Sequence, residues 1–376
     1  MAINSTGRRR WALPTALVAV LVIGAAAGCT GGGTGADPGA AVGGPVASSV
    51  PSGTPELGAP QVIAQDLDVP WGLAFLPGGD ALVAERDTGR VLRLAAAGGE
   101  PREVYQVPGV AAGGEGGLLG LAVSPAFGDD GRVYAYLTAE QDNRIVRFRL
   151  DGAAPEVVVD GIAKGRNHNG GRIAFGPDGM LYAGTGDAGD TSRSQDPASL
   201  NGKILRMTPD GEPATGNPGA GSPVFSLGHR NVQGLAWDAD GRLFATEFGQ
   251  NDLDEVNLIE AGRNYGWPVV EGTGDTGGGR YTNPLITWPV RDASPSGIAI
   301  AGRTAYVAAL RGERLWTLRL DGRTVGEPSA ELTRRYGRLR TVQVAPDGAL
   351  WLTTSNTDGR GDTRDGDDRI LRFPAR

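Results

Sequence analysis

The 376-residue chain has only two histidines, and both fall in short polar segments flanked by glycine. His168 lies in Arg166-Asn167-His168-Asn169-Gly170-Gly171, ahead of Gly186-Asp187-Ala188-Gly189-Asp190. His229 lies in Gly228-His229-Arg230-Asn231-Val232-Gln233-Gly234. A neutral imidazole can take a proton from a substrate hydroxyl near pH 7, and a nearby carboxylate such as Asp187 can orient or charge-tune it. The competing reading is that each ring only caps a turn. That reading is kept for His229, while for His168 both stand.

Positive groups recur at comparable places. Arg230, Arg311, Arg338 and Arg340 each precede or follow an apolar alternating run. A guanidinium fork binds a carboxylate through two parallel hydrogen bonds. One such arginine alone reads as a surface salt bridge; four converging on one pocket suit a ligand with several carboxylates. The acidic candidates are Asp252, Asp254 and Glu255 within Glu247–Pro268, and the tail Asp362–Asp368. Calcium takes carboxylate and backbone oxygens from Gly-rich loops, but neither stretch matches the calcium-loop consensus. The tail reads as a solvated turn.

These residues need a scaffold, and the chain repeats one. A small or hydroxyl residue, an alternating apolar run, an Asp/Gly-type turn and a second alternating run recur six times. The copies are Gly72–Glu85, Gly120–Leu137, Gly171–Thr185, Gly234–Glu247, Gly297–Leu310 and Thr341–Thr354. Their starts are spaced about 44 to 63 residues apart, the spacing of four-stranded blades. Period-two alternation dominates and helical periodicity is nearly absent. The expected fold is an all-β, six-bladed propeller with an axial pocket, and the repeat boundaries that hold both histidines should open toward the axis. Runs such as Arg90–Leu94, Lys203–Met207 and Arg369–Phe373 should form third strands. Gln61–Leu67 has no partner of its own and should complete the last blade, which removes an exposed sheet edge.

The N-terminus reads differently. Arg8, Arg9 and Arg10 precede an apolar run from Trp11 to Ala27, followed by Ala26-Ala27-Gly28-Cys29. The run is short for a membrane span. The pattern resembles a bacterial lipoprotein signal over residues 1–28, with Cys29, the chain's single cysteine, as the lipidated residue; an ordinary secretory signal is the alternative. Residues 29–59, rich in Gly, Pro, Ala and Ser, read as a flexible tether. The propeller is assigned to residues 60–376. The expected location is extracytoplasmic, anchored to the cell membrane through Cys29. A single cysteine excludes a disulfide framework. The formal charge is −7, and −10 without Arg8, Arg9 and Arg10. With no basic run in the folded part, nucleic acid is not an expected partner.

Several stretches together resemble the soluble quinoprotein glucose/sorbosone dehydrogenase family: Gly114–Gly120 (GEGGLLG), His168–Arg172 (HNGGR), Leu227–Gly234 (LGHRNVQG) and Asp254–Pro268 (DEVNLIEAGRNYGWP). The resemblance covers nearly all of residues 60–376. It implies a six-bladed propeller that uses pyrroloquinoline quinone (PQQ) and Ca2+ to oxidise aldose sugars at the anomeric carbon to the lactone, passing electrons to an external acceptor. By that resemblance His168 is the general base and Asp187 its supporting acid. Arg230, Asn231, Arg311, Arg338 and Arg340 are cofactor contacts. Glu115 falls where some relatives place a glutamine against the cofactor, and Arg311 where the glucose enzyme has lysine. The cofactor calcium is implied at backbone carbonyls of Phe248-Gly249-Gln250, where the glucose enzyme has glutamine and proline in place of Phe248 and Gln250. A structural calcium is implied at Glu255 and the Tyr265 carbonyl. Shorter sugar-cradling loops point to a broad aldose preference. Two alternatives stand beside this: a propeller that binds carbohydrate or protein without turnover, and a metal-dependent sugar lactonase.

Overall fold

The computed structural model describes residues 53–376. Over them the chain forms six sheets, each an antiparallel set whose first strand lies innermost. The innermost strands are Pro70–Phe75, Leu118–Val123, Ile173–Phe175, Val232–Trp237, Pro295–Ala301 and Leu339–Val344. They lie side by side in a ring, and the sixth returns to the first. This is the expected propeller, and the repeated phrase is the inner hairpin of each blade.

The small residue that opens each repeat has a steric cause. Gly72, Gly120, Gly234 and Gly297 stand where one inner strand meets the backbone of the next. A Cβ on Gly72 would collide with Leu119 O, and one on Gly297 would sit 2.7 Å from Val342 N. Around the axis there is no room for a side chain pointing sideways. The sixth repeat opens on Thr341 instead. Its buried hydroxyl donates to Trp71 O (2.6 Å) and accepts from Arg172 (3.0 Å), tying the last blade to the first and third.

The core lies between blades. Six apolar clusters among the described residues each join one pair of neighbours, as Leu82 and Val91 of the first blade meet Val133 and Phe148 of the second. A strand buried on both faces therefore keeps an apolar alternate on each side. Fully burying one such Leu or Val stabilises the fold by roughly 1.5–3 kcal/mol.

Ring closure follows the expectation. Gln61–Ala64 pairs antiparallel with Ile370–Phe373 as the fourth strand of the last blade. Ordered pairing starts slightly before residue 60: Pro55 bridges Ala375, and Glu56 N donates to Pro374 O (2.8 Å). The lipoprotein signal, Cys29 and the tether up to residue 52 lie outside the described residues. One reading is corrected. The Asp362–Asp368 tail is not wholly a solvated turn, because Asp368 is buried and accepts from Thr354 Oγ1 (2.9 Å), Asn356 N (2.6 Å) and Thr357 Oγ1 (2.6 Å). Its carboxylate organises the loop from Ser355 to Arg360 that reaches the axis.

Candidate active site

His168 sits in the segment entering the third blade's inner strand, with its backbone in the left-handed region (φ 56°). For a non-glycine residue this conformation costs energy and is held only where the surroundings enforce it. Two contacts enforce it here. The His168 N–H donates to Glu115 Oε2 (2.9 Å), and its carbonyl accepts from Ala188 N (3.1 Å). Glu115 is carried into place by the glycines beside it; a Cβ on Gly114 would collide with Arg166 O.

The ring is paired. Nδ1 lies 2.7 Å from Asp187 Oδ1. Asp187 is fully buried and also accepts from Gly189 N (2.8 Å) and from the Trp267 indole (2.9 Å to Oδ2). Burial alone would raise its carboxyl, but the His168 hydrogen bond and these donors prevail and hold it below the usual carboxylate range. With donors at both oxygens of an anion, Nδ1 must carry the proton. Nε2 is then the free lone pair, and it has no protein partner among the described residues. His168 thus has the geometry of a base rather than of a turn cap. His229 is the structural histidine: fully buried, bonded to Glu247 Oε2 (2.8 Å) and Ser226 Oγ (2.8 Å), and stacked on Tyr265.

Beside His168 lies a small axial cavity, about 20 Å3 in volume, lined by Trp71, Glu115, Gln233, Phe248, Arg340 and Asp358 among others. Arg340 and Arg172 lie over the same Trp71 ring, at 5.7 and 4.3 Å from its centroid. Burial pushes each guanidinium down to about 9, so both stay charged at neutral pH.

The four arginines are spread over the axial cavity and its surroundings. Only Arg340 lines the axial cavity. Arg311 and Arg338 line an adjoining recess that shares Phe248 and Arg360 with it. Arg230 stands over Trp267 at 5.4 Å, and its NH1 donates to Phe248 O (3.1 Å). The blade geometry spreads them around the mouth. Asp358 binds Arg338 NH2 (2.9 Å), so that guanidinium is already paired.

Three buried donors beside the inner strands lack any partner: Arg230 Nε, Asn231 Nδ2 and Arg340 Nε, of which Arg340 belongs to the cavity lining. Asn231 turns its carbonyl oxygen to Gly170 N (3.0 Å) and Gln233 Nε2 (3.1 Å), which leaves its amide nitrogen free. Buried polar groups are almost always satisfied. Unsatisfied groups that are all donors, two of them cationic, call for an anionic ligand rich in acceptors. A quinone bearing carboxylates fits this wall.

The loop after Glu247 fits a hard cation. Gly249 N donates to Asp254 Oδ1 (2.9 Å), and the N–H groups of Gln250, Asn251, Asp252 and Leu253 all point at Glu271 Oε1 (2.6–3.3 Å). With their amides turned to carboxylates, Gly249 and Gln250 keep carbonyl oxygens that accept no hydrogen bond among the described residues. Glu255 is buried away from the axial cavity, opposite Glu247 on the neighbouring strand, and accepts from Asn257 Nδ2 (2.9 Å) and Gly272 N (2.7 Å). Burial and the Glu247 charge push its carboxyl up. The Tyr265 carbonyl likewise accepts no hydrogen bond. Among the described residues no three His, Cys, Asp or Glu side chains group as a metal cluster.

Sequence reasoning assigned no site role to Trp71, Arg86, Gln233, Trp267, Asp358, Arg360 and Glu271. Gln233 and Trp267 lay inside stretches already singled out. Asp358 and Arg360 lie in an irregular loop with no periodic signal.

Comparison with known proteins supplies the lineage. A match to the Glucose / Sorbosone dehydrogenase family spans residues 67–371. The structure is similar to the PQQ-bound form of an aldose sugar dehydrogenase from Streptomyces coelicolor, with 55% identity and a TM-score of 0.81 over 86% of this chain and all of that one. An aldose sugar dehydrogenase of Escherichia coli is 29% identical over 80% of this chain and 90% of its own length. Quinoprotein glucose dehydrogenase B of Acinetobacter calcoaceticus is 31% identical over 64% of this chain and 59% of its own. The match over most of the propeller, with the His168–Asp187 pair and the arginine-walled axis in place, makes this chain a member of the glucose/sorbosone dehydrogenase family.

Proposed function

We propose that this protein is a PQQ- and calcium-dependent aldose dehydrogenase that oxidises the anomeric carbon to the lactone and passes electrons to an external acceptor. The observation that carries this reading is the set of unpaired donors, Arg230 Nε, Asn231 Nδ2 and Arg340 Nε, beside a His–Asp pair with a free Nε2. When bound, the quinone supplies the hydride acceptor and calcium the Lewis acid. His168 Nε2 takes the proton of the anomeric hydroxyl as the sugar is oxidised. Asp187 keeps the ring in that tautomer and stabilises the imidazolium that forms. Arg230, Asn231 and Arg340 hold the cofactor's acidic edge, and Arg311, exposed in the adjoining recess, adds positive charge at the mouth. The Gly249 and Gln250 carbonyls would hold the cofactor calcium; Glu255 and the Tyr265 carbonyl would hold a structural one.

Titrating the purified chain with PQQ in calcium, then adding glucose and a dye acceptor, tests this. Quinone binding with sugar-dependent dye reduction is expected. His168→Gln should lower turnover by about 10²–10⁴-fold with the quinone still bound. Full turnover in that variant removes His168 from the role, and no quinone binding at micromolar concentration overturns the function.

We also propose that Cys29 is lipidated and holds the enzyme on the outer side of the cell membrane. Its support is the Arg8–Arg10, apolar run and Gly28-Cys29 pattern. Cys29→Ser should move the protein from the membrane to the soluble fraction; retention in the membrane refutes the anchor.

A further inference from the structure

Glu115 presents an apparent conflict in a cavity that recruits an acidic ligand. It lines the axial cavity, and its carboxylate accepts from His168 N (2.9 Å) and Arg360 NH1 (3.0 Å). Burial favours its neutral form, but the His168 N–H and the Arg360 charge prevail and hold it below the usual range. It is therefore an anion at neutral pH, facing the cavity that Arg86 and Arg340 also line. A lone carboxylate there would repel a carboxylated quinone.

Arg360 lies on the last blade's loop, 245 residues away in sequence. It is the residue shared by three recesses: the axial cavity, the recess of Arg311 and Arg338, and a third with Arg86 and Arg166. Its delivery is built in. Arg360 N donates to Asp358 Oδ1 (2.9 Å), while Asp358 Oδ2 grips Arg338 (2.9 Å). One carboxylate thus places both the paired arginine of the recess and the guanidinium that reaches Glu115.

We propose that Arg360 is a charge-compensating residue: it neutralises Glu115 so that the axial cavity accepts an acidic quinone while Glu115 still holds the His168 amide. This rests on the quinone-dependent function above. The guanidinium is 56% exposed, so solvent screens part of its field. The repulsion it cancels acts inside a partly enclosed cavity, where screening is weaker.

The test is a double-mutant cycle over Arg360→Met, Glu115→Gln and their combination, read as the PQQ dissociation constant by equilibrium dialysis in calcium, with thermal unfolding of each variant as the fold control. Arg360→Met should weaken binding about ten-fold. Arg360→Lys, which keeps the charge, should stay within about three-fold of the parent. Combining Glu115→Gln with Arg360→Met should restore affinity to within about three-fold, since no charge is left to cancel. If Arg360→Met binds like the parent, the compensation is refuted. If the double variant stays as weak as Arg360→Met, Arg360 touches the ligand itself and the proposal falls. If the parent binds no quinone, the functional reading fails first and takes this inference with it.

Discussion

Asp187→Asn tests the His168 assignment at its most sensitive point. The carboxylate faces three donors: His168 Nδ1 and Gly189 N at Oδ1, and the Trp267 indole at Oδ2. An amide has one oxygen to offer. If its nitrogen takes the Oδ1 side, the Gly189 N–H is orphaned and the imidazole must move its proton to Nε2, which removes the base. If it takes the Oδ2 side, the indole is orphaned; the tautomer survives, but the charge that stabilises the imidazolium is gone. Either way one buried donor is left unsatisfied, at a cost of about 1–3 kcal/mol. A carboxylate this close to an imidazolium contributes about 4 kcal/mol at an effective dielectric near 20. Turnover should therefore fall by about 10²–10⁴-fold. The assay is single-turnover reduction of bound quinone by glucose, with the quinone dissociation constant measured alongside. Parent-like turnover in a quinone-loaded Asp187→Asn refutes the base assignment. Stability responds as well. The folded Asp187 titrates below its unfolded value of 3.8, so its contribution is present above that pH and is lost as pH falls through the folded value. Asp187→Asn should flatten that acid limb of a urea-stability profile.

Three further outcomes follow from the packing and the charges. Gly120→Ala places a Cβ against Gly171 O at the axis and should cost about 3 kcal/mol or more by urea unfolding; a near-neutral change refutes the steric account of the repeat. Lys203, buried and pushed down to about 8 by burial, donates to the carbonyls of Arg193 (2.7 Å), Ser194 (3.1 Å) and Asn201 (2.7 Å). Lys203→Met orphans them on the loop that carries Asp187, and should cost about 3 kcal/mol and lower turnover; unchanged stability sinks the argument. The folded Glu255 binds its proton more tightly than the unfolded value of 4.5, so without calcium stability should fall as pH rises above that value. Glu255→Gln should remove that slope and the thermal shift caused by calcium; a calcium shift that survives refutes Glu255 as a ligand.

How far the site was legible varies with the kind of contact. His168 and Asp187 were readable because both sit in glycine-flanked segments at repeat boundaries, and repeat boundaries in a ring face the axis. The sequence singled out Arg230, Arg311, Arg338 and Arg340 for a shared role. Their junction positions were visible, but whether two guanidiniums share a cavity depends on which carboxylate reaches them first. For Arg338 that is Asp358, twenty residues away along an irregular loop. The acidic tail was misjudged for the same reason: composition marks exposure on average, and it does not say that Asp368 folds inward to cap Thr354 and Asn356.

The sequence by itself determined the blade count, the strand order and the ring closure by Gln61–Ala64. Those follow from alternation, turn residues and a glycine or threonine at each inner strand, all of which are local and periodic. Only the tertiary structure decided the chemistry at the axis: the tautomer of His168, the unpaired donors of Arg230, Asn231 and Arg340, and the ion pair between Glu115 and Arg360. The His168–Asp187 and Glu115–Arg360 pairs join different loops, and the unpaired donors come from two different blades. Their protonation and pairing are set by which groups become neighbours when the ring closes, and no local pattern along the chain encodes that distance.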